Sequence, residues 1–135
     1  VYGGIATVEQ FVNGSTYNGD RDEQTLGAKY AFGSWTVGYQ WSEEDTGRAT
    51  GTTQYNNDAY GITFQVNDDL SIGYNHYESD ADGTNVTAEA TSIQIAYTMG
   101  GASIRLAEAQ ATNMKYQTGA AYDRDATTLS VSLAF

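Results

Sequence analysis

Cysteine and proline are both absent from this chain of 135 residues. Without cysteine there are no disulfides, no thiol chemistry and no thiolate metal sites, although the compartment stays open because many extracytoplasmic proteins also lack disulfides. Basic residues are scarce: six Lys and Arg stand against seventeen Asp and Glu, for a formal charge of -11. Binding nucleic-acid phosphates calls for clustered cations, so that partner is excluded as an expectation. No apolar run approaches the eighteen or so residues of a spanning helix. That excludes helical membrane proteins and leaves membrane strands untouched. Val1 opens the chain without an initiator Met or a charged leader, which reads as mature or excised material.

What the chain does have is alternation of period two along most of its length. Trp35, Val37, Tyr39 and Trp41 alternate with Thr36, Gly38, Gln40 and Ser42. The same rhythm runs through Leu26 to Phe32, Tyr60 to Val66, Leu70 to Asn75, Ser92 to Met99, Ile104 to Leu106, and Thr128 to Phe135. The first segment, GIATVEQFV, is the least clear, because Glu9 falls in phase with Ile5, Thr7 and Phe11. Its expected orientation therefore puts Ala6, Val8 and Val12 on the apolar side. Eight strands and an all-β fold follow, with no helix of consequence.

The connections between these strands alternate in length. Gly33-Ser34, Asn67-Asp68-Asp69 and Gly100-Gly101 suit tight hairpin turns. NGSTYNGDRDE, EEDTGRATGTTQYNND, ESDADGTNVTAE and TNMKYQTGAAYDRD are long and polar. Long loops therefore leave one end of the sheet and tight turns the other, the pattern of a transmembrane antiparallel β-barrel. Aromatic placement points the same way. Tyr39, Trp41, Tyr55, Tyr60, Tyr74 and Tyr77 fall near the long-loop ends, and Phe32, Trp35, Phe64, Tyr97 and Phe135 toward the tight-turn ends. Two such belts fit the two interfaces of a bilayer. A soluble β-sandwich would concentrate its aromatics mid-strand.

The closing LSVSLAF, an alternating strand ending on Phe135, carries the most specific likeness. With the loop pattern it makes the chain resemble the C-terminal half of a general diffusion porin of Gram-negative outer membranes, of the purple-bacterial type, over essentially its whole length. The resemblance implies a sixteen-stranded barrel, a homotrimer, a terminal Phe read by the assembly machinery, and passive diffusion of small hydrophilic solutes through a water-filled channel. It also implies a third external loop folded into the lumen, a role to which no stretch of this sequence can be assigned. Outer-membrane lipid and lipopolysaccharide would be its surroundings.

A complete eight-stranded barrel acting as an anchor or adhesion protein is the alternative, since bacterial barrels begin at eight strands. Side chains fill so narrow a barrel, so large polar residues should point inward. Thr36, Gly38, Gly61, Thr63, Ser71, Gly73, Ser92, Ala96, Thr128, Ser130, Ser132 and Ala134 are small instead, which suits a wide channel better. Lys29 and Arg105 interrupt this neutral wall. A cation facing hydrocarbon costs a few kcal/mol, so both should face water. They are either fixed charges of a pore or structural partners of carboxylates, for which Glu9, Glu89 and Glu108 are candidates. Gln40, Gln65, Asn75 and Gln94 complete the candidate pore lining, and Trp35, Tyr39, Trp41, Tyr60, Tyr74, Tyr97 and Phe135 the candidate interface aromatics. Glu108 falls in phase with Ile104 and Leu106, so either a bulge shifts the register or the strand has left the apolar band.

Metal and catalytic signals are weaker. Asp80, Asp82 and Asn85, or Asp20, Asp22 and Glu23, offer hard oxygen ligands of the calcium type, but the EF-hand spacing fails, and a solvated acidic loop explains them better. Porins of the resembled type can bind calcium, so Ca2+ at Asp80 and Asp82 is an expectation of the resemblance; no cofactor is otherwise required. His76 is the single histidine. A rim hydrolase built on it is the strongest enzymatic alternative, without a supporting motif. The Asn13 and Asn85 glycosylation triplets carry no weight in a bacterial outer membrane.

Overall fold

A computed structural model of the chain describes residues 1–10 and 16–133. Eight strands run β1 Tyr2–Val8, β2 Arg21–Phe32, β3 Trp35–Asp45, β4 Gln54–Gln65, β5 Leu70–Ala81, β6 Ala88–Met99, β7 Ala102–Thr112 and β8 Arg124–Leu133. All eight expected strands are present. Most extend further toward the long loops than alternation alone marked, because polar residues in phase with the ladder pair as well as apolar ones do. Each strand is antiparallel to its chain neighbour, in the order β1 to β8. Tight turns close one end: Gly33 and Gly100 take φ of 55° and 56°, and the Asn67 side chain accepts from the backbone N–H of Asp69 and Leu70, both at 2.9 Å.

The sheet is not closed. Among the described residues β1 pairs with β2 alone and β8 with β7 alone. Among the described residues there is also no second sheet for this single layer to pack against. No described side chain is fully buried, and Ala81 and Ser79 are the most enclosed, at 4% and 5% exposure. The accessible surface is 9234 Å², whereas a compact monomer of this mass exposes about 6,900 Å².

Register sorts the side chains onto two faces, since directly paired residues point the same way. Leu26 pairs with Trp41, Tyr30 with Val37, Trp35 with Phe64, Ile72 with Ile95, and Leu106 with Leu129. This apolar face carries aromatic contacts between Trp35 and Phe64 at 4.5 Å and between Tyr39 and Tyr60 at 6.2 Å. The opposite face holds Thr36, Gly38, Gly61, Thr63, Ser71, Gly73, Ser92, Ala96, Thr128, Ser130 and Ser132.

Two expectations about orientation are corrected. Ile5 pairs with Gln24 and Gly3 with Leu26, so Ile5 and Thr7 lie on the apolar face while Ala6 and Val8 lie opposite. Phe11, Val12 and the Asn13 triplet are outside the described residues, as is Phe135. Tyr55 and Tyr77 do stand near the long-loop end, but they pair with Ala81 and Ala59 on the small-residue face and do not belong to the aromatic belt. The phase of each strand decides this, and nearness to a loop does not.

Candidate functional site

The apolar face has a sharp upper border, above which polar and acidic residues begin. On successive strands its last apolar residues are Ile5, Leu26, Trp41, Tyr60, Tyr74, Ile93, Leu106 and Leu129. This border does not follow the hydrogen-bonded rows. Straight across the ladder, Ile5 meets Gln24, Trp41 meets Asp58, Tyr60 meets His76, and Ile93 meets Glu108. At each of those four junctions the border therefore steps down by two residues, and at the other three it stays level. Glu108 is now placed: the β6–β7–β8 ladder runs through it without a bulge, so the strand has simply passed the border there. Thr127 donates to its Oε2 at 2.5 Å. The interface candidates Trp35, Tyr39, Trp41, Tyr60, Tyr74 and Tyr97 all lie on the apolar face.

The six candidate lining residues gather on the other face. Lys29 pairs with Gly38, Gln40 with Gly27, Gln65 with Ser71, Asn75 with Ser92, Gln94 with Gly73, and Arg105 with Ala96. Gln40 accepts from the Tyr2 hydroxyl at 2.7 Å. The Tyr2 ring lies over Gly27, where a Cβ would come within 2.3 Å of it, so glycine makes room for a side chain that crosses from β1 to β3. Gln65 is occupied differently, donating to the Asn67 carbonyl at 2.6 Å to brace a tight turn. Among the described residues neither Lys29 nor Arg105 has a carboxylate within 4.0 Å. Glu89 and Glu108, two of the partners considered for them, are on the apolar-face side of the sheet.

Toward the long loops the same face becomes richer. Arg21 contacts Glu23 at 2.5 Å and Glu44 at 2.9 Å. Tyr77 donates to Asn57 Oδ1 at 2.6 Å, and Ser79 donates to the same oxygen at 2.6 Å. The loop between β7 and β8 joins this group. It contains 3-10 turns at Met114–Tyr116 and Ala120–Tyr122, and Tyr116 stacks on Tyr55 at 5.6 Å with its hydroxyl 2.8 Å from Ser79 Oγ. Burial raises the Tyr116 pKa from its ordinary value.

All four long connections are tied together. Asn18 donates to the Gly47 carbonyl at 3.0 Å, linking the first to the second. Gly47, at φ 62°, has backbone oxygens of Gly19 and Asp20 at 2.4 Å from where a Cβ would sit. Asp82 links the second to the third, accepting from the Thr53 and Gln54 N–H groups at 2.7 and 3.0 Å and from the Thr53 hydroxyl at 2.5 Å. These bonds, the Thr53 hydroxyl first, hold its carboxyl below the usual range. Asn113 Nδ2 reaches the Thr87 carbonyl at 3.0 Å, linking the third to the fourth.

Of the calcium candidates, Asp82 clamps a loop, and Asp80 accepts from Thr87 at 2.5 Å. Among the described residues no group of three or more acidic, His or Cys side chains gathers. His76 stacks on Tyr60 at 5.2 Å and lies 2.9 Å from Glu78, on the face opposite Ser71, Ser79 and Ser92. Tyr2, Arg21 and Tyr116 were not among the expected site residues. Phase with Gly4 and Ala6 was available for Tyr2, but nothing in a polar loop announces that Tyr116 folds back over the sheet. No family model, no curated protein and no solved structure matches this chain.

Proposed function

We propose that this sheet is part of a transmembrane β-barrel of a bacterial outer membrane, forming a water-filled channel for passive diffusion of small hydrophilic solutes and ions. The observation that carries the reading is the stepped apolar border. It falls eight residues over seven strand junctions, which at about 3.3 Å per residue and about 4.8 Å between strands is a slope of roughly 38°. Strands of outer-membrane barrels tilt by about 35–45° from the barrel axis. Tilt the strands by that amount and the border becomes one flat line around the wall, as the flat edge of a hydrocarbon slab requires. Long strands of 11 or 12 residues in β2 to β7 then rise about 27–32 Å, enough for an apolar band of about 25 Å.

Half of a larger barrel fits better than a complete small one. The two outermost strands carry bare backbone edges and exposed apolar side chains, Ile5 at 89% and Leu129 at 67%. Exposed edges of this kind pair with further strands. The water-facing wall would then be the small-residue face, with Lys29 and Arg105 as fixed positive charges free of carboxylate partners, and the resemblance extends this to a trimer amid lipopolysaccharide.

Two measurements test the reading. Reconstituted in planar bilayers, the native protein is expected to give stepwise ohmic openings; a folded, membrane-inserted protein with no conductance would end the pore proposal and leave an anchor. The intact mass of the native protein is expected near twice 14.6 kDa, and a native mass equal to that of this chain would overturn the half-barrel.

A further inference from the structure

We infer that the loop between β7 and β8 is a constricting arm of the channel, with Tyr116 as the residue that sets its width; the inference rests on the pore reading above. The loop leaves β7 at Thr112 and returns at Arg124, so a loop that stood up into solvent would touch only those strands. It does not stand up. Its first turn passes β6, where Asn113 bonds the Thr87 carbonyl, and Tyr116 goes on to Ser79 in β5 and Tyr55 in β4. That is a sideways reach of two to three strand spacings, about 10–15 Å.

The side on which it lies is fixed by register. Ser79 pairs with Asn57 and Tyr55 with Ala81, all on the small-residue face, so the arm crosses the wall that would face water. Ser79 is one of the most enclosed residues of the molecule, and Tyr116 is what covers it from that side. Between the arm and the sheet is a cleft of about 250 Å³ lined by Tyr77, Ala88, Ala90, Ala111, Lys115 and Tyr116 among others.

The backbone pays for this path. Asn113, Lys115 and Tyr116 take φ of 54°, 60° and 57°, the left-handed region that bulky residues avoid. Strain of this kind persists where surrounding contacts enforce it, and here the Tyr116 stack and hydroxyl bond do so.

A wall of sixteen strands spaced about 4.8 Å apart and tilted roughly 38° has a diameter near 30 Å. A helical turn with side chains is about 10 Å thick. The arm therefore narrows the channel by about a third of its diameter along one wall.

Tyr116→Ala releases both contacts and is expected to raise single-channel conductance by up to about half, as the open width goes from two thirds of the bore toward the whole, and to admit larger sugars in liposome-swelling assays. Because that variant can fail to fold, Lys115→Cys gives a second reading: these 135 residues contain no cysteine of their own, and a bulky charged thiol reagent added to the open channel is expected to reduce current through the variant by more than through the parent. A conducting parent whose conductance, solute cut-off and thiol response are all unmoved by these changes overturns the arm and leaves the pore standing. A parent that does not conduct overturns the pore, and the arm with it.

Discussion

The two faces of this sheet share one hydrogen-bonded ladder and differ in nearly everything else. One carries large apolar and aromatic side chains up to a sharp border; the other carries glycine, alanine, serine and threonine with two cations, Lys29 and Arg105, that have no carboxylate within 4.0 Å among the described residues. Their difference shows how side chains sort between the two sides of a sheet whose described residues form no buried core. In a globular domain apolar residues are hidden in a core, and here they are displayed.

The strongest way to break that comparison is to place one charge on each face of one strand. Ile95→Arg and Gln94→Arg alter neighbours in β6 on opposite faces, Gln94 lying between Gly73 and Ala107 with no charge directly across from it. The first is expected to cost about 2–4 kcal/mol at mid-band and the second well under about 1 kcal/mol, read by denaturant unfolding from lipid vesicles. Equal costs would mean that the faces are misassigned. Gly47→Ala probes the loops where the two faces end. At φ 62° and with two backbone oxygens at 2.4 Å, it is expected to destabilise that junction by about 1–3 kcal/mol and expose the first two long connections to protease. An unchanged digestion pattern would show that the junction tolerates a Cβ.

Smaller effects sharpen the comparison. Lys29→Gln and Arg105→Gln are each expected to lower the anion-to-cation permeability ratio without changing stability, and the double variant to lower it further; an unmoved ratio would make both residues structural. The smallest effect concerns pH. Asp82 has a depressed carboxyl pKa, so the folded loop is favoured above the ordinary Asp value of about 3.9 and that contribution is lost as pH falls through the lower folded value. Protection of the Thr53 and Gln54 amides, measured as their exchange relative to an unstructured peptide at the same pH, is expected to fall on acidification over that range in the parent, and Asp82→Asn to flatten the response.

Much of this was legible in the chain. Ten-residue alternation with punctuating Gly and Asn gives the strands and turns, and phase alone assigns Lys29, Arg105 and the interface tyrosines to faces. The expected orientation of β1 fails because Gly3, Gly4 and Ala6 are too small to mark a face, and Glu9, whose phase suggests that orientation, lies beyond the end of the strand. Tyr55 and Tyr77 were misplaced although their phase with Asn57, Ser79 and Ala81 was there to read. The path of Tyr116 was not legible: a loop's direction depends on contacts with strands far away in sequence, and no local period encodes it.

Among the described residues each strand bonds only to the strands before and after it in the chain. Such a ribbon is modular, because deleting or duplicating a hairpin leaves every other pairing in register and needs no rethreading. The width of the sheet can therefore change by whole hairpins without disturbing the pairings that remain.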